Sequence, residues 1–214
     1  MVKLGSRAYD LMYRFGAPWE GADRVELRAL VQDGTCSPDT LRSTRGAAAR
    51  AIDLGCGAGG VACELAESGF RVTGVDFSDT ALRKARALAA RKGLGADRVT
   101  FMQADLTSEA IDGVPGPFDL LVDYGTLDDL DAAGRRRMAS LVTRLARPGA
   151  RFFLFAFSAR PEDLPRFSFN GPSRAFPGLG PGEAESLFES AFAIRPLTTP
   201  RRGSPIATSL LERR

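Results

Sequence analysis

Residues 51–60 read Ala51-Ile52-Asp53-Leu54-Gly55-Cys56-Gly57-Ala58-Gly59-Gly60. A short apolar run ends beside an acid, and four glycines follow within six positions. Glycine tolerates positive φ and lets backbone approach a ligand closely, so the stretch predicts a strand, a tight turn and a helix start. A helix beginning after Gly59 presents free N–H groups and the positive end of its dipole. Gly55, Gly57 and Gly60 also fit G-x-G-x-x-G, which alone does not separate a ligand loop from a structural turn.

Working outward, strands and helices alternate. Strands are predicted over 49–54, 71–75, 98–103, 118–122 and 151–157, with helices over 59–68, 79–92 and 132–146, the last ended by Arg147-Pro148-Gly149. That alternation predicts a doubly wound parallel α/β sheet with helices on both faces. Residues 158–181 break it with five prolines and three glycines. This stretch is expected to be a lid or a plain surface loop, offering Phe167, Phe169 and Phe176. A helix over 182–190 precedes strands over 192–197 and 206–211. The gap at 198–205 is short for a parallel crossover, so an antiparallel hairpin should close the sheet. Upstream, 5–34 reads as one or two helices broken at Gly16-Ala17-Pro18, with Asp23 as a cap, and 35–48 as a polar connection. The expected organisation is one domain over 1–214: a helical cap at 1–48, a core at 49–157, and a lid loop, helix and hairpin at 158–214.

Composition excludes several chemistries. The 214 residues contain no histidine, which removes Ser-His-Asp and Cys-His hydrolases. Three cysteines without a CxxC pair argue against a disulfide framework and a zinc site, and no metal is expected. The net charge is only +3, and Arg135, Arg136 and Arg137 read as a solvated helix face rather than a nucleic-acid stripe. No apolar run approaches the roughly 18 residues of a membrane span. The N-terminus lacks a signal-peptide core. A cytoplasmic protein without membrane or nucleic-acid partners is expected.

Three acids follow strand ends. A carboxylate at Asp53 aimed at the turn would repel a pyrophosphate and suit a ligand with a cationic amino group. Asp76 closes the second strand, 21 residues after Gly55. There it can accept from both hydroxyls of a ribose, or cap the next helix in competition with Ser78 and Asp79. Asp105 can accept from an adenine amino group while Leu106 offers backbone N–H, or it can cap a short helix. Phe77 can pack on the adenine face or in the core.

Asp53-Leu54-Gly55-Cys56-Gly57-x-Gly59, Gly74-Val75-Asp76-Phe77-Ser78, Ala104-Asp105-Leu106, Phe118-Asp119-Leu120-Leu121-Val122-Asp123 and Arg147-Pro148-Gly149 together resemble, in order and spacing, the motifs of class I S-adenosylmethionine-dependent methyltransferases. The resemblance covers about residues 49–157. It implies a Rossmann-like seven-stranded sheet with a reversed C-terminal hairpin, S-adenosylmethionine as cofactor and S-adenosylhomocysteine as product. It places Asp53, Gly55, Gly57 and Gly59 on the methionine side, Asp76 on the ribose, and Asp105 with Leu106 on the adenine. It puts Asp123 at the methyl-transfer site. Tyr13, Arg14, Pro18, Trp19 and Glu20 look like the N-terminal segment of small-molecule members, including the thiopurine type, which folds over the cofactor. Relatives often carry histidine or another distinctive residue after the fourth strand, where this chain has Asp123-Tyr124-Gly125-Thr126-Leu127-Asp128-Asp129.

The expected reaction is in-line methyl transfer to a small acceptor through O, S or N, by a monomer or homodimer. Without histidine, Asp123, Tyr124, Asp128 or Asp129 must remove any proton, although a phenol, thiol or carboxylate needs little help. Asp128 and Asp129 can equally be a helix cap and a solvated charge. Trp19 and Tyr13 can hold a sulfonium by cation–π attraction, or simply pack. Two rival readings remain. One is a non-catalytic or non-methylating S-adenosylmethionine-binding protein. The other is an NAD(P)-dependent oxidoreductase, which explains Gly55, Gly57, Gly60 and Asp76 but not Asp53, Ala104-Asp105-Leu106 or the hairpin.

Overall fold

A computed structural model describes residues 6–16, 24–42, 47–114, 116–158, 178–200 and 205–214, with residues 6–8 described by their backbone alone. Seven strands form one sheet: β1 (Arg50–Leu54), β2 (Arg71–Asp76), β3 (Val99–Gln103), β4 (Phe118–Tyr124), β5 (Ala146–Phe157), β6 (Phe192–Thr198) and β7 (Ile206–Arg213). Their spatial order is β3-β2-β1-β4-β5-β7-β6. The first five pair in parallel, and β7 runs antiparallel to both β5 and β6. The Rossmann-like sheet with its reversed C-terminal hairpin is therefore as expected. The helices are α1 (Ser6–Phe15), α2 (Val25–Gln32), α3 (Pro38–Leu41), α4 (Gly60–Glu67), α5 (Asp79–Arg91), α6 (Ala132–Leu145) and α7 (Glu183–Phe188), with a 3-10 turn at Leu127–Asp129.

Side chains alternate across a strand, so a strand that is apolar at every position needs cover on both faces. Ile52, Leu54, Leu121, Phe152 and Leu154 pack with Met138, Leu141 and Val142 of α6 and Phe188 of α7. Their neighbours Ala51, Leu120, Val122 and Phe153 face the other way, against Leu27 and Leu30 of α2, Leu41 of α3, and Val61 and Leu65 of α4. Burying each such large apolar side chain contributes about 1.5–3 kcal/mol. The chain order reverses at β1, which has β2 on one side and β4 on the other. The carboxyl ends of strands at such a point form a crevice where ligands bind.

Several expectations change. The 35–48 connection contains α3, because Ser37 Oγ accepts the Thr40 amide and Pro38 starts the helix. In α2 the cap position is Arg24, with no side-chain cap bond, while Asp23 lies outside the described residues. Arg147-Pro148-Gly149 does not separate helix from strand. Strand β5 begins at Ala146 and bulges, its register with β4 shifting between Phe118 and Leu120. Gly149 (φ 75°) permits the excursion, and Arg147 turns inward to bond Asp119 at 2.5 Å. Arg135 is not part of a solvated face: it is buried and pairs with Glu183 at 2.7 Å. Residues 159–177, including Phe167, Phe169 and Phe176, lie outside the described residues, so the lid expectation does too. Cys36, Cys56 and Cys63 are free and buried. Among the described residues no helix is long and apolar enough to cross a membrane.

Candidate active site

The loop after β1 is pulled over the end of β2. The amides of Gly55 and Cys56 both donate to Val75 O, at 2.8 and 2.9 Å. Gly55, Gly57 and Gly59 have φ of 77°, 50° and 81°, in the left-handed region where a side chain is strained. None of the three has room for one either: on Gly59 a methyl group would lie 2.8 Å from Ala85 Cβ. A methyl group on Gly55 would lie 1.9 Å from Thr126 Oγ1, and one on Gly57 would lie 2.5 Å from the Tyr13 hydroxyl oxygen.

The predicted acids converge on this loop. Asp76 Oδ2 accepts the Gly57 amide at 2.8 Å, and its Oδ1 accepts the Ser78 amide at 2.8 Å. Ser78, not Asp76, caps α5, its Oγ accepting from Ala81. The capping alternative for Asp76 therefore falls away. Burial raises the Asp76 pKa above the ordinary value, opposed by the bonds from Ser78 and Gly57. Asp53 is buried, and its Oδ2 accepts the Ala62 amide at 3.0 Å in the first turn of α4. Burial pushes its carboxyl up to about 7, against the pull of nearby Arg24.

Asp105 is exposed beyond β3, and its Oδ1 accepts from the Thr107 amide (2.8 Å) and hydroxyl (2.7 Å), which fixes the turn. Leu106 is buried in the core beside it. Phe77 is 39% exposed, so it belongs to the mouth of the crevice rather than the core; Tyr9 meets it edge-on, ring centres 5.5 Å apart.

At the end of β4, Asp123 is wholly buried, and its two oxygens accept the amides of Thr126 (2.7 Å) and Leu127 (3.0 Å). Burial pushes it up to about 7 despite these bonds. Tyr124 stacks on Phe155 with ring centres 4.2 Å apart. Asp128 is buried; its Oδ2 accepts the Phe157 amide at 3.1 Å, while Oδ1 has no hydrogen-bond partner among the described residues. Burial, then the neighbouring Asp129 and Asp123, hold its pKa well above the ordinary value. Neither Asp128 nor Asp129 caps α6, a role filled by Asp131, whose Oδ1 accepts from Gly134 at 2.7 Å. Nor are they solvated charges, because both are largely buried.

Helix α1 crosses the crevice and ties its walls together. Tyr9 donates to Asp129 Oδ2 at 2.5 Å, Ser78 donates to Asp10 Oδ1 at 2.5 Å, and Tyr13 is buried over Gly57. Tyr9 and Tyr13 stand four residues apart on one helix face. Sequence reasoning named Tyr13 but missed Tyr9, Asp10 and Thr126; the Tyr9–Tyr13 spacing was the available signal. Trp19, with Pro18 and Glu20, lies outside the described residues. Arg24 lies flat on Gly60, where a methyl group would come within 2.4 Å of its Nη2, and pairs with Glu64 at 3.1 Å. Among the described residues no group of three or more Cys, Asp or Glu side chains is arranged to hold a metal ion.

The loop, the acids and the β4 end lie in a stretch that matches a family model described as methyltransferase domain, over residues 51–149. Over 150 residues the chain is 30% identical to the 2-heptyl-1-hydroxyquinolin-4(1H)-one methyltransferase of Mycobacteroides abscessus, covering 69% of this chain and 60% of that one. It is 33% identical over 123 residues to the S-adenosyl-L-methionine-dependent Diels-Alderase iccD of Talaromyces variabilis, covering 54% and 39%. The match thus spans less than two thirds of the length of either relative. The fold superposes on the N-methyltransferase NodS of Bradyrhizobium japonicum WM9, solved with S-adenosyl-L-homocysteine, with a TM-score of 0.66, 16% identity and 97% of each chain covered.

Proposed function

We propose that this chain, a member of the class I S-adenosylmethionine-dependent methyltransferases through its residues 51–149, moves a methyl group from that cofactor to a small-molecule acceptor. The observation that carries the reading is the contact between Asp76 and Gly57. It joins an acid at the end of β2 to the glycine loop at the point where the sheet order reverses.

The residues fit the cofactor. A carboxylate has about four acceptor positions, so Asp76 retains capacity for two ribose hydroxyls after taking two amides. Exposed Asp105 and Phe77 offer an acceptor and an aromatic face for adenine. Asp53, Gly55, Gly57 and Gly59 would take the methionine side, roofed by Tyr13, and Trp19 would add a second aromatic face. The cofactor, when bound, supplies a methyl group activated on a sulfonium, open to in-line displacement. The chain's own part is to align, exclude water and manage a proton, of which alignment alone can contribute ~7–11 kcal/mol.

Asp123 has both oxygens committed to the turn at 126–127, which gives it a positioning part in the site. Asp128, with one oxygen unpartnered, is the better proton acceptor, and Tyr124 the alternative. The hydroxyquinolone methyltransferase among the relatives supports a hydroxylated ring compound as acceptor. A phenolic proton is acidic enough to suit a site without histidine. The Diels-Alderase relative favours a second reading, in which the same pocket serves non-methylating chemistry.

Calorimetric titration with S-adenosylmethionine, S-adenosylhomocysteine and NADH tests the pocket. Micromolar binding of the two sulfur ligands alone supports it, and no binding of them by folded protein overturns it. Incubation with phenols then separates methyl transfer from binding alone.

A further inference from the structure

Strands β1 and β4 stay paired as far as Leu54 and Asp123, the last partners in their register. Past that pair the two segments lean on opposite neighbours. The glycine loop turns to β2, where the amides of Gly55 and Cys56 share the Val75 carbonyl. The acidic turn leans on β5: the Gly125 amide donates to Phe155 O at 3.0 Å, and the Phe157 amide to Asp128 Oδ2 at 3.1 Å. This parting of the strands opens the crevice, and it leaves the glycine loop and the acidic turn on separate supports.

Thr126 spans the gap. Its Oγ1 donates to Leu54 O at 3.1 Å, a partner 72 positions away. Its side chain also fills the space that a side chain on Gly55 would need. A methyl group there would stand 1.9 Å from Oγ1 and 2.9 Å from both Cβ and Cγ2 of Thr126. A threonine that opens a helical turn ordinarily uses its hydroxyl on the amides of that turn. Thr126 holds the cap position of the turn at Leu127–Asp129 and makes no side-chain cap bond. Asp123 fills the local role, accepting the amides of Thr126 and Leu127. The hydroxyl is thus left for a partner on another strand.

We propose that Thr126 is a positioning residue that locks the acidic turn to the glycine loop, so that a cofactor held by the loop also fixes Asp128 and Asp129 relative to it. The proposal rests on the methyl-transfer reading, since it takes the loop to hold S-adenosylmethionine. In-line transfer needs donor and acceptor in register, and a displacement of about 1 Å can cost ~10²-fold in rate. A tether between the two supports meets that need. Neither can shift without straining the bond to Leu54 or the contact with Gly55.

Amide hydrogen exchange on the full chain tests the tether, without S-adenosylhomocysteine and with it at about a hundred times the Kd of each protein. The amide of buried Leu127 reports on the turn, and that of Gly57 on the loop. In the wild type the ligand should slow both. Leu127 should slow by about tenfold or more, the ceiling being ~100-fold where opening of the turn abolishes binding. Thr126→Val keeps the shape and removes the donor. It should retain the slowing at Gly57 and lose most of it at Leu127. Thr126→Ser keeps the donor and should retain the slowing at Leu127. If Thr126→Val does not fold, Thr126→Ala takes its place. Three results each overturn the tether: bound ligand that leaves Leu127 exchange unaltered in the wild type, equal slowing of Leu127 in the wild type and Thr126→Val, or a serine variant that behaves as the valine one does. Failure of the folded wild type to bind S-adenosylhomocysteine would instead overturn the cofactor reading, and the part proposed for Thr126 with it.

Discussion

Gly57 donates its amide to Asp76 Oδ2 at 2.8 Å, across 19 residues of chain. The bond fixes the glycine loop against the end of β2 and holds the carboxylate in the crevice. Asp76→Ala strands the buried amides of Gly57 and Ser78, at about 1–3 kcal/mol for each. We expect a lower Tm and S-adenosylhomocysteine affinity weakened by roughly tenfold or more, measured by calorimetry. Asp76→Asn keeps one strong acceptor and should fall between. Unchanged affinity in the alanine variant would remove Asp76 from the ligand site.

Gly55 has no alternative residue. Alanine there meets Thr126 Oγ1 at 1.9 Å and must adopt φ of 77°. Gly55→Ala should lower stability by about 2 kcal/mol or more, the strained backbone alone contributing ~1–3 kcal/mol. Adding Thr126→Ala should recover part of the loss, because it removes the collision but not the strain. Denaturant unfolding of the two variants and the wild type measures this, and equal stability of Gly55→Ala and wild type would show the loop to be freely adjustable.

The hold of α1 on the crevice depends on Tyr9. Tyr9→Phe leaves the largely buried Asp129 without its hydroxyl donor, a cost of about 1–3 kcal/mol. Amide exchange in α1 should quicken well before exchange in β4 does. Unaltered α1 protection would mean that packing, not this bond, holds the helix.

Asp53 gives a pH signature. Its folded pKa, near 7, lies above the ordinary carboxylate value, so between those pH values the folded state binds more protons than the unfolded one. The contribution of Asp53 to stability is therefore greatest at low pH and declines as pH rises toward 7. Asp53→Asn keeps an acceptor for the Ala62 amide and removes the titration. The variant should lose more than ~1 kcal/mol of the wild-type fall in stability between pH 5 and pH 8. Parallel curves for the two proteins would contradict the raised pKa.

Asp128 offers a kinetic test. If it accepts the acceptor's proton, transfer to phenols should accelerate as pH rises through its raised pKa. Asp128→Asn should then flatten that profile and lower kcat by roughly a hundredfold or more, without changing S-adenosylhomocysteine affinity. An unaltered profile would leave the reaction to the acidity of the acceptor itself.

Much of this molecule was determined locally. The alternation of apolar runs and helical periods fixes a parallel sheet, because a strand apolar at every position needs helices on both faces. The short gap at 198–205 fixes the reversed hairpin. Glycines at 55, 57 and 59 sit where only positive φ closes the turn, so the loop could be read from residue types alone. The tertiary structure decided what depends on encounters across the chain. Asp76, open to two readings by its position, loses that of helix cap once Ser78 is found capping α5. Asp128 and Asp129 lose the roles of cap and solvated charge because Asp131 caps α6 and α1 covers the turn. Tyr9 gains its part only through a partner 120 positions away. Thr126 carries no signal in sequence; it reaches the glycine loop only because the β1–β4 register sets Leu54 beside Asp123. Periodicity and backbone freedom are properties of neighbours in the chain, whereas burial, register and hydrogen-bond partnership arise only when distant segments meet.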